Sequence, residues 1–345
     1  MENLATVQRI TDIQPIDGAD FLDIAEVQGW EVLVKKGQHQ VGDLVVYIEP
    51  DTLLPNTDPL YDFLRARGQK TMQVDGEDVT GHVLKVMKMR GHYSQGIVFS
   101  LEEAGFDPLV GNEAPLHEGD DVTFEMGVYH YEKPVPVGGK QKGDFDLRFT
   151  PKSDAIRAEK LNKWWDQIVE MDWDVTLKVD GTSVTLVNDD GLIRVFSRNW
   201  EMVVDDYAPY NLANELGVLS VLADYPGMAI QFEYAGPGVQ SNPSKLATNQ
   251  MFIFAVAIGG ERVSRSFWPV ALLPLSVPVL GEEWQPRGTM AEMIEKVDGL
   301  RSGLLGSNTL DEGLVFHPRG AGAHWLGRTN NFKIISKKFS MKHEA

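Results

Sequence analysis

A lysine near the end of an apolar run stands directly before an Asp-Gly pair. The segment reads Thr176-Leu177-Lys178-Val179-Asp180-Gly181, and a second β-rich run follows it. A lysine amine is a nucleophile only when it is neutral, and its reference pKa is about 10.4, so a reactive lysine must be desolvated or lie beside cations. The pattern alone also fits an ordinary hairpin, because Asp-Gly is a frequent two-residue turn.

Four further segments with charged residues follow this lysine in order. They are Ser197-Arg198-Asn199 at a strand end, residues 231–236 around Glu233, residues 311–316 around Glu312, and residues 331–339 around Lys333. Taken singly, Glu233 and Glu312 fit edge-strand carboxylates, and Lys333 fits a solvated cation. Their common order and spacing are much harder to attribute to chance.

In that order, the segments resemble the motifs of the covalent nucleotidyltransferases, the superfamily of polynucleotide ligases and mRNA capping enzymes. Lys178-Val179-Asp180-Gly181 is similar to the nucleotidyl-lysine motif Lys-x-Asp-Gly. The residues that fall where later motifs are expected are Arg198, Glu233, Glu312-Gly313 and Lys333. The layout most resembles RNA ligases of the Deinococcus type, which carry an OB-like domain before the catalytic domain. Residues 13–55 are similar to that front domain, and the resemblance covers nearly the whole chain.

The resemblance implies an ATP-dependent RNA ligase. Lys178 would attack the α-phosphorus of ATP and form a lysyl-AMP phosphoramidate with release of pyrophosphate. AMP would then pass to an RNA 5′-phosphate, and a 3′-OH would displace it to close the strand. Lys333, Arg198 and a divalent metal would lower the pKa of Lys178 and neutralise the phosphates. The implied partners are RNA ends, with nicks that carry an RNA 3′-OH as the expected substrate.

The same resemblance assigns residues around the nucleotide. Glu233 would hold the ribose hydroxyls, and Phe254 would stack on adenine, as aromatic rings commonly do on bases. Glu312 would bind Mg²⁺ or Mn²⁺, since hard cations prefer oxygen ligands. The other expected contacts are Thr176, Leu177, Arg198 and Lys333, with Asp180, Gly181 and Asn199 as further candidates.

The last motif departs from the family pattern. Family members usually have Lys-x-Lys there, whereas Lys333 is followed by Ile334 and Ile335. The second cation is therefore absent or comes from Lys337 or Lys338.

The elements that must position these residues divide into two parts. Short β-rich runs before residue 130, separated by Gly, Asp and Pro turns, predict a small barrel, with an OB-like barrel favoured over an SH3-like one. The predicted strands are Leu22–Val27, Trp30–Lys35, Leu44–Ile48, and residues 83–89, 96–100 and 122–124. Residues 131–151 combine Pro, Gly and mixed charge without periodicity and predict a linker. We expect an OB-like domain at 1–130 and an adenylyltransferase domain at 152–345.

The second part predicts an α+β domain of antiparallel sheets with flanking helices. Helices are expected at 153–169, with Ser153 as N-cap, at 211–223 and at 290–300. The strands are expected at 175–179, 183–187, 192–196, 229–234, 251–258 and 313–316, and at Trp325 or Phe332–Ile335.

Composition limits the chemistry. The 345 residues carry a formal net charge of −18 and no cysteine. Disulfides, thiolate nucleophiles and Cys-ligated zinc or iron–sulfur sites are therefore excluded. Residues 317–345 contain six Lys or Arg and one acid, a basic segment that the resemblance assigns to the phosphate site. No basic stretch followed by an apolar one opens the sequence, and no apolar run is long enough to span a membrane, so we expect a cytoplasmic protein. The sequence does not determine the oligomeric state, and a monomer is the simplest expectation.

Two alternatives are weighed against the RNA ligase. DNA ligases and capping enzymes place an OB domain after the catalytic domain, whereas only 12 residues follow Lys333. A non-catalytic RNA-binding protein with a degenerate nucleotidyltransferase domain predicts a lost nucleophile. Lys178 is present, and the acidic front part has few cations for phosphate neutralisation, so this alternative is less favoured.

Overall fold

The computed structural model describes residues 3–74, 77–106, 115–131 and 139–343. By internal contacts the chain divides into two compact units, Met1–Pro134 with Ser340–Ala345, and Val135–Phe339. None of the helices in the described part of the chain is long and apolar enough to cross a membrane.

The first unit is built mainly of strands. They are β1 (Ala5–Pro15), β2 (Leu22–Val27), β3 (Trp30–Lys35), β4 (Leu44–Ile48), β5 (Thr52–Pro55), β6 (Lys70–Val74), β7 (Glu77–Val83), β8 (Met87–Met89), β9 (His92–Ser94), β10 (Ile97–Ser100) and β11 (Tyr129–His130). Among the described residues, one sheet has the order β10-β4-β1-β2-β3 and a second the order β11-β5-β7-β6.

The first sheet curls because its central strand changes partner along its length. The first half of β1 pairs with β4 and the second half with β2, with a register irregularity after Ile10. Such irregularities bend a strand and increase its twist. The amide of Gln95, just before β10, donates to the carbonyl of Glu31 in β3 at 2.7 Å and so joins the two ends of the sheet. This curled antiparallel sheet agrees with the predicted OB-like barrel.

The predicted strands of this unit have different outcomes. Leu22–Val27, Trp30–Lys35 and Leu44–Ile48 are confirmed with the predicted bounds. Residues 83–89 are not one strand, since β7 ends at Val83 and β8 begins at Met87. Residues 122–124 are not a strand either, because the Met126 amide folds back to the Val122 carbonyl at 2.9 Å in a turn.

The second unit contains two sheets and short helices. Its strands are β12 (Gln141–Asp144), β13 (Ile156–Arg157), β14 (Trp173–Lys178), β15 (Thr182–Asp189), β16 (Leu192–Phe196), β17 (Trp200–Met202), β18 (Met228–Ala235), β19 (Gln250–Ile258), β20 (Glu261–Val263), β21 (Gly313–Pro318) and β22 (Phe332–Ile335). The helices are α1 (Trp165–Glu170), α2 (Ala208–Glu215), α3 (Val218–Ala223), α4 (Met290–Val297) and α5 (Lys337–His343).

Each of the two sheets has one apolar face that is covered by helices. Within the described residues, one has the order β12-β17-β16-β15-β18-β19-β20 and the other β13-β22-β21-β14, and the only parallel pair is β13 with β22. Leu222 of α3 packs against Phe232 of the first sheet, and Ile294 of α4 packs in one cluster with Phe332 of the second. The opposite faces of both sheets line a common cleft. The predicted α+β class with antiparallel sheets is confirmed.

The predicted helices and linker differ in detail. Residues 153–169 form a 3₁₀ segment, Ala158–Trp164, followed by α1, and Ser153 does not begin a helix. The single helix expected at 211–223 is divided into α2 and α3 at Gly217, whose φ is 75°. Residues 132–138 of the predicted linker lie outside the described residues, and β12 within the linker pairs with β17.

Candidate active site

The Lys178 side chain is held beside Glu312 by the pairing of two strands distant in sequence. β14 and β21 are antiparallel, and Lys178 lies opposite Gly313. The Lys178 Nζ atom donates to Oε1 of Glu312 at 2.5 Å, and the side chains are 27% and 9% exposed, respectively. The nucleophile predicted from the sequence therefore lies in a largely buried ion pair.

Gly313 makes this pairing possible. Its φ is 157°, and a Cβ atom there would lie 2.1 Å from the carbonyl oxygen of Ile334 in the neighbouring strand. Only glycine fits that space, so the Glu-Gly pair keeps Glu312 at the strand end beside Lys178. Gly181 has a similar role, because a Cβ atom there would lie 2.4 Å from the Tyr234 carbonyl oxygen.

Glu312 has the features of a cation ligand. Its Oε1 atom accepts from Lys178, while its Oε2 atom is buried without a hydrogen-bond partner among the described residues. Buried polar atoms are nearly always paired, so this oxygen indicates a missing partner. No three His, Cys, Asp or Glu side chains in the described part of the chain form a ready-made metal site. Mg²⁺ is commonly held by one or two carboxylates together with substrate phosphates, so Glu312 fits such an ion.

Glu233 lies in the same electrostatic cluster. It is partly buried on β18, between Ser183 of β15 and Phe252 of β19. Burial raises the pKa of Glu233 to about 8; the Lys178 charge opposes the shift, and Glu312 adds to it. At neutral pH Glu233 is therefore largely protonated and able to donate or accept a hydrogen bond.

The charges around Lys178 correct one sequence-based expectation. Burial lowers the pKa of the Lys178 amine, but the carboxylates of Glu312, Glu233 and Asp180 raise it further, and the net pKa lies above that of an ordinary lysine. The expectation that neighbouring cations lower this pKa is wrong for the protein alone. Acidic side chains surround the amine, and it carries its proton until the charge of the ionised ones is neutralised.

Arg198 and Asn199 are positioned by the segment before the first helix of this unit. The Arg198 guanidinium hydrogen-bonds to Asp154, and Asn199 Oδ1 accepts from Lys152 Nζ at 2.5 Å. Burial has the largest effect on the pKa of Glu233, and the positive charge of Arg198 acts in the opposite direction and lowers it. Arg198 therefore lies close enough to act on the same cluster.

Lys333 lies on the face of the sheet that carries the site. It pairs with Val315 of β21, and Val315 pairs with Thr176 of β14. Directly opposed residues point to the same face, so the Lys333 and Thr176 side chains point into the cleft from strands roughly 10 Å apart. The two candidates for the second cation differ in position. Lys337 is the first residue of α5, whereas Lys338 Nζ lies 3.2 Å from an oxygen of Asp298.

A cleft between the two sheets is lined by Thr176 of β14 and Phe254 of β19. Phe254 lies at an irregularity of β19, where Phe232 pairs with Ile253 but Gln231 pairs with Ala255. The extra residue turns Phe254 into the cleft.

Leu177 is placed differently from its neighbours. Strand alternation directs its side chain to the opposite face, where it packs in the core with Phe316. Its backbone amide donates to the Pro278 carbonyl at 2.9 Å. The Leu177 side chain is therefore not among those that the structure brings to the cleft.

Four residues of this region were not predicted from the sequence as site residues: Lys152, Asp154, Arg262 and His317. Each is an isolated polar residue whose partners come from other elements, so neither periodicity nor local spacing marks it. Lys152 and Asp154 do have a signal in the sequence, because the segment Pro151-Lys152-Ser153-Asp154 resembles the one that precedes the catalytic helix in the family.

Comparisons with protein families find one matching family in each of the two units. Residues 4–101 match a family model described as an OB-fold domain, and residues 171–335 match the RNA ligase family. A comparison with curated proteins finds no match.

Solved structures of Naegleria gruberi RNA ligase are similar over the whole chain. A mutant with AMP and Mn is 26% identical, with 99% of both chains covered and a TM-score of 0.83. A mutant with ATP and Mn is 26% identical, with 99% of this chain and 98% of that chain covered and a TM-score of 0.81. The enzyme with PPi is 27% identical, with 100% and 99% covered and a TM-score of 0.82. Residues 171–335 therefore form an RNA ligase domain, with an OB-fold domain at residues 4–101 in front of it, in a chain that is similar over its whole length to an RNA ligase.

Proposed function

We propose that the protein is an ATP-dependent RNA ligase that joins 5′-phosphate and 3′-OH ends through a lysyl-AMP intermediate on Lys178. The observation that carries the proposal is the buried contact between Lys178 Nζ and Glu312, with one Glu312 oxygen left without a partner. A structural ion pair would satisfy both carboxylate oxygens. A site that receives a cation and a nucleotide leaves one oxygen available.

The first step forms a bond between Lys178 Nζ and the α-phosphorus of ATP and breaks the bond from that phosphorus to the pyrophosphate oxygen. Nζ must lose a proton to attack, and Glu312 Oε1, 2.5 Å away, is the acceptor in contact with it. When bound at Glu312, Mg²⁺ or Mn²⁺ supplies positive charge that offsets the carboxylates and stabilises the phosphate oxygens.

The remaining residues orient the nucleotide. Glu233, largely protonated at neutral pH, hydrogen-bonds the ribose hydroxyls, and Phe254 stacks on the base in the cleft. Thr176 contributes to the cleft wall, while Arg198 and Lys333 contribute cations for the phosphates. What supports these assignments is the shared sheet face of Thr176, Lys178 and Lys333, together with the presence of ATP, AMP and Mn in structures of the similar Naegleria enzyme.

Later steps use the same site. The RNA 5′-phosphate oxygen attacks the adenylate phosphorus and releases Lys178, which takes back a proton. The 3′-OH then attacks the activated 5′-phosphorus and releases AMP. We propose a nicked duplex with an RNA 3′-OH strand as substrate, a monomeric enzyme, and domain limits of 1–130, 131–151 and 152–345.

The test is sealing of a nicked duplex whose 5′-phosphate is labelled. We expect the wild-type protein with ATP and Mn²⁺ to convert the labelled strand to the joined length, and Lys178→Ala to leave it unjoined. A matched duplex whose 3′-OH end is DNA measures the preference for RNA. If the protein binds the duplex but does not join its strands, that would instead support a non-catalytic RNA-binding protein.

A further inference from the structure

The cleft continues past Thr176 to a basic end that the reaction chemistry does not use. This end is lined by Arg262, Arg265 and His317. His317 lies opposite Asp174, four residues before Lys178 on β14. At about 3.3 Å per residue, it is roughly 13 Å along the strand from the nucleophile. Phe254, the ring proposed to stack on the base, lines the same cleft as these three residues.

The His317 imidazole is neutral and incompletely hydrogen-bonded. Burial lowers the pKa of His317 to about 3, and the charges of Arg262 and Arg265 lower it as well. Its Nε2 atom is buried without a hydrogen-bond partner in the described part of the chain. A neutral imidazole has one donor and one acceptor nitrogen, so Nε2 is able to accept when the proton is on Nδ1.

Arg262 adds a donor at the same end. Its Nη1 atom donates to the Thr329 carbonyl at 2.7 Å and its Nη2 atom to Gln231 Oε1 at 2.6 Å, so both terminal nitrogens are engaged by neutral groups. The Nε–H is buried and has no partner among the described residues. A buried donor without a partner is expensive, which indicates that something else completes the bond.

The two atoms without a partner among the described residues are therefore the Arg262 Nε–H donor and the His317 Nε2 nitrogen. Phe254 and Trp268 line the same cleft. A phosphate would require several free donors, whereas the edge of a purine offers a ring nitrogen acceptor beside an exocyclic amine. We propose, on the basis of the proposed function, that Arg262 and His317 determine base specificity. Arg262 Nε–H donates to a ring nitrogen of adenine, and His317 Nε2 accepts from its 6-amino group.

The test compares self-labelling of the enzyme with ATP and with purine riboside 5′-triphosphate, which lacks the 6-amino group. For the wild-type protein we expect the concentration giving half-maximal lysyl-nucleotide formation to be about 5- to 100-fold higher with the analogue, since a buried acceptor loses its partner. The rate at saturation should change little, because neither residue contacts the reacting phosphorus.

His317→Phe supplies the second comparison. It keeps a planar ring but removes the acceptor, so ATP should bind about as weakly as the analogue and the discrimination should disappear. His117→Phe, at an exposed histidine of the first unit, is the matched control and should keep wild-type discrimination.

Each result has one consequence. Equal use of ATP and analogue by the wild-type protein would overturn this inference and leave the proposed function standing, because the lysyl-nucleotide still forms. Unchanged discrimination in His317→Phe would overturn the role of His317. No labelling with either nucleotide, on protein whose mass shows no adenylyl group beforehand, would overturn the proposed function and the inference together. The wild-type comparison decides even if His317→Phe does not fold.

Discussion

The raised pKa of Glu233 predicts that replacing this residue stabilises the protein at alkaline pH. In the folded protein its pKa is about 8, against 4.5 for an ordinary glutamate. Between these two values the folded state keeps a proton that the unfolded chain releases, so the contribution of Glu233 to the free energy of unfolding falls as pH rises. Below pH 4.5 both states are protonated and the contribution is fully present. Above pH 8 it is lost.

The size of the effect follows from the shift. About 3.5 pKa units at 1.36 kcal/mol each give at most ~5 kcal/mol. Water entering a partly exposed site reduces this value, so we expect about 2–4 kcal/mol. In Glu233→Gln this pH-dependent contribution is absent, and its stability relative to wild type should rise by that amount from pH 5 to pH 8.5.

The assay is urea unfolding of wild type and Glu233→Gln at both pH values. Glu261→Gln, at an exposed glutamate of the same sheet, is the control and should follow the wild-type protein at each pH. A stability difference between Glu233→Gln and wild type that is the same at pH 5 and pH 8.5 would refute the reasoning. Glu233→Ala, in contrast, should label poorly with ATP, since it loses the proposed ribose contact.

Two further predictions concern the Glu312-Gly313 pair. Gly313→Ala should lower the free energy of unfolding, measured in urea, by about 3 kcal/mol or more, because its Cβ would lie 2.1 Å from the Ile334 carbonyl oxygen. Wild-type stability of this variant would mean that the neighbouring strand moves aside without cost, and would contradict the prediction. Glu312→Ala should need at least about tenfold more Mn²⁺ for half-maximal self-labelling, as lost ligands commonly cost such factors; an unchanged Mn²⁺ requirement would remove Glu312 from the metal site.

Much of the second unit follows from local sequence patterns. The strand Phe332–Ile335 has the predicted bounds, and the Asp-Gly pair separates β14 from β15, although these two strands belong to different sheets and do not form a hairpin. Helix α4 begins after Thr289, which forms a reciprocal capping pair with Glu292. Where alternation and turn residues agree, the elements form as expected.

Other features depend on partners that no local pattern identifies. Residues 122–124 have β-branched character, yet Val122 donates to the Ala5 carbonyl and its own carbonyl closes a turn. The net pKa of Lys178 depends on Glu312, 134 residues away, and therefore on the strand pairing. Motif resemblance indicates that these residues meet, but the balance between burial and charge is a property of the folded site.

The most direct test of the central claim is incubation with α-labelled ATP and Mn²⁺, followed by a denaturing gel with Lys178→Ala alongside. We predict label on the wild-type protein alone, released by nucleophiles that cleave phosphoramidates. Protein that already carries AMP would show the added mass of an adenylyl group before incubation. Wild-type protein with neither label nor added mass, or equal label on Lys178→Ala, would contradict the assignment of Lys178 as the nucleophile.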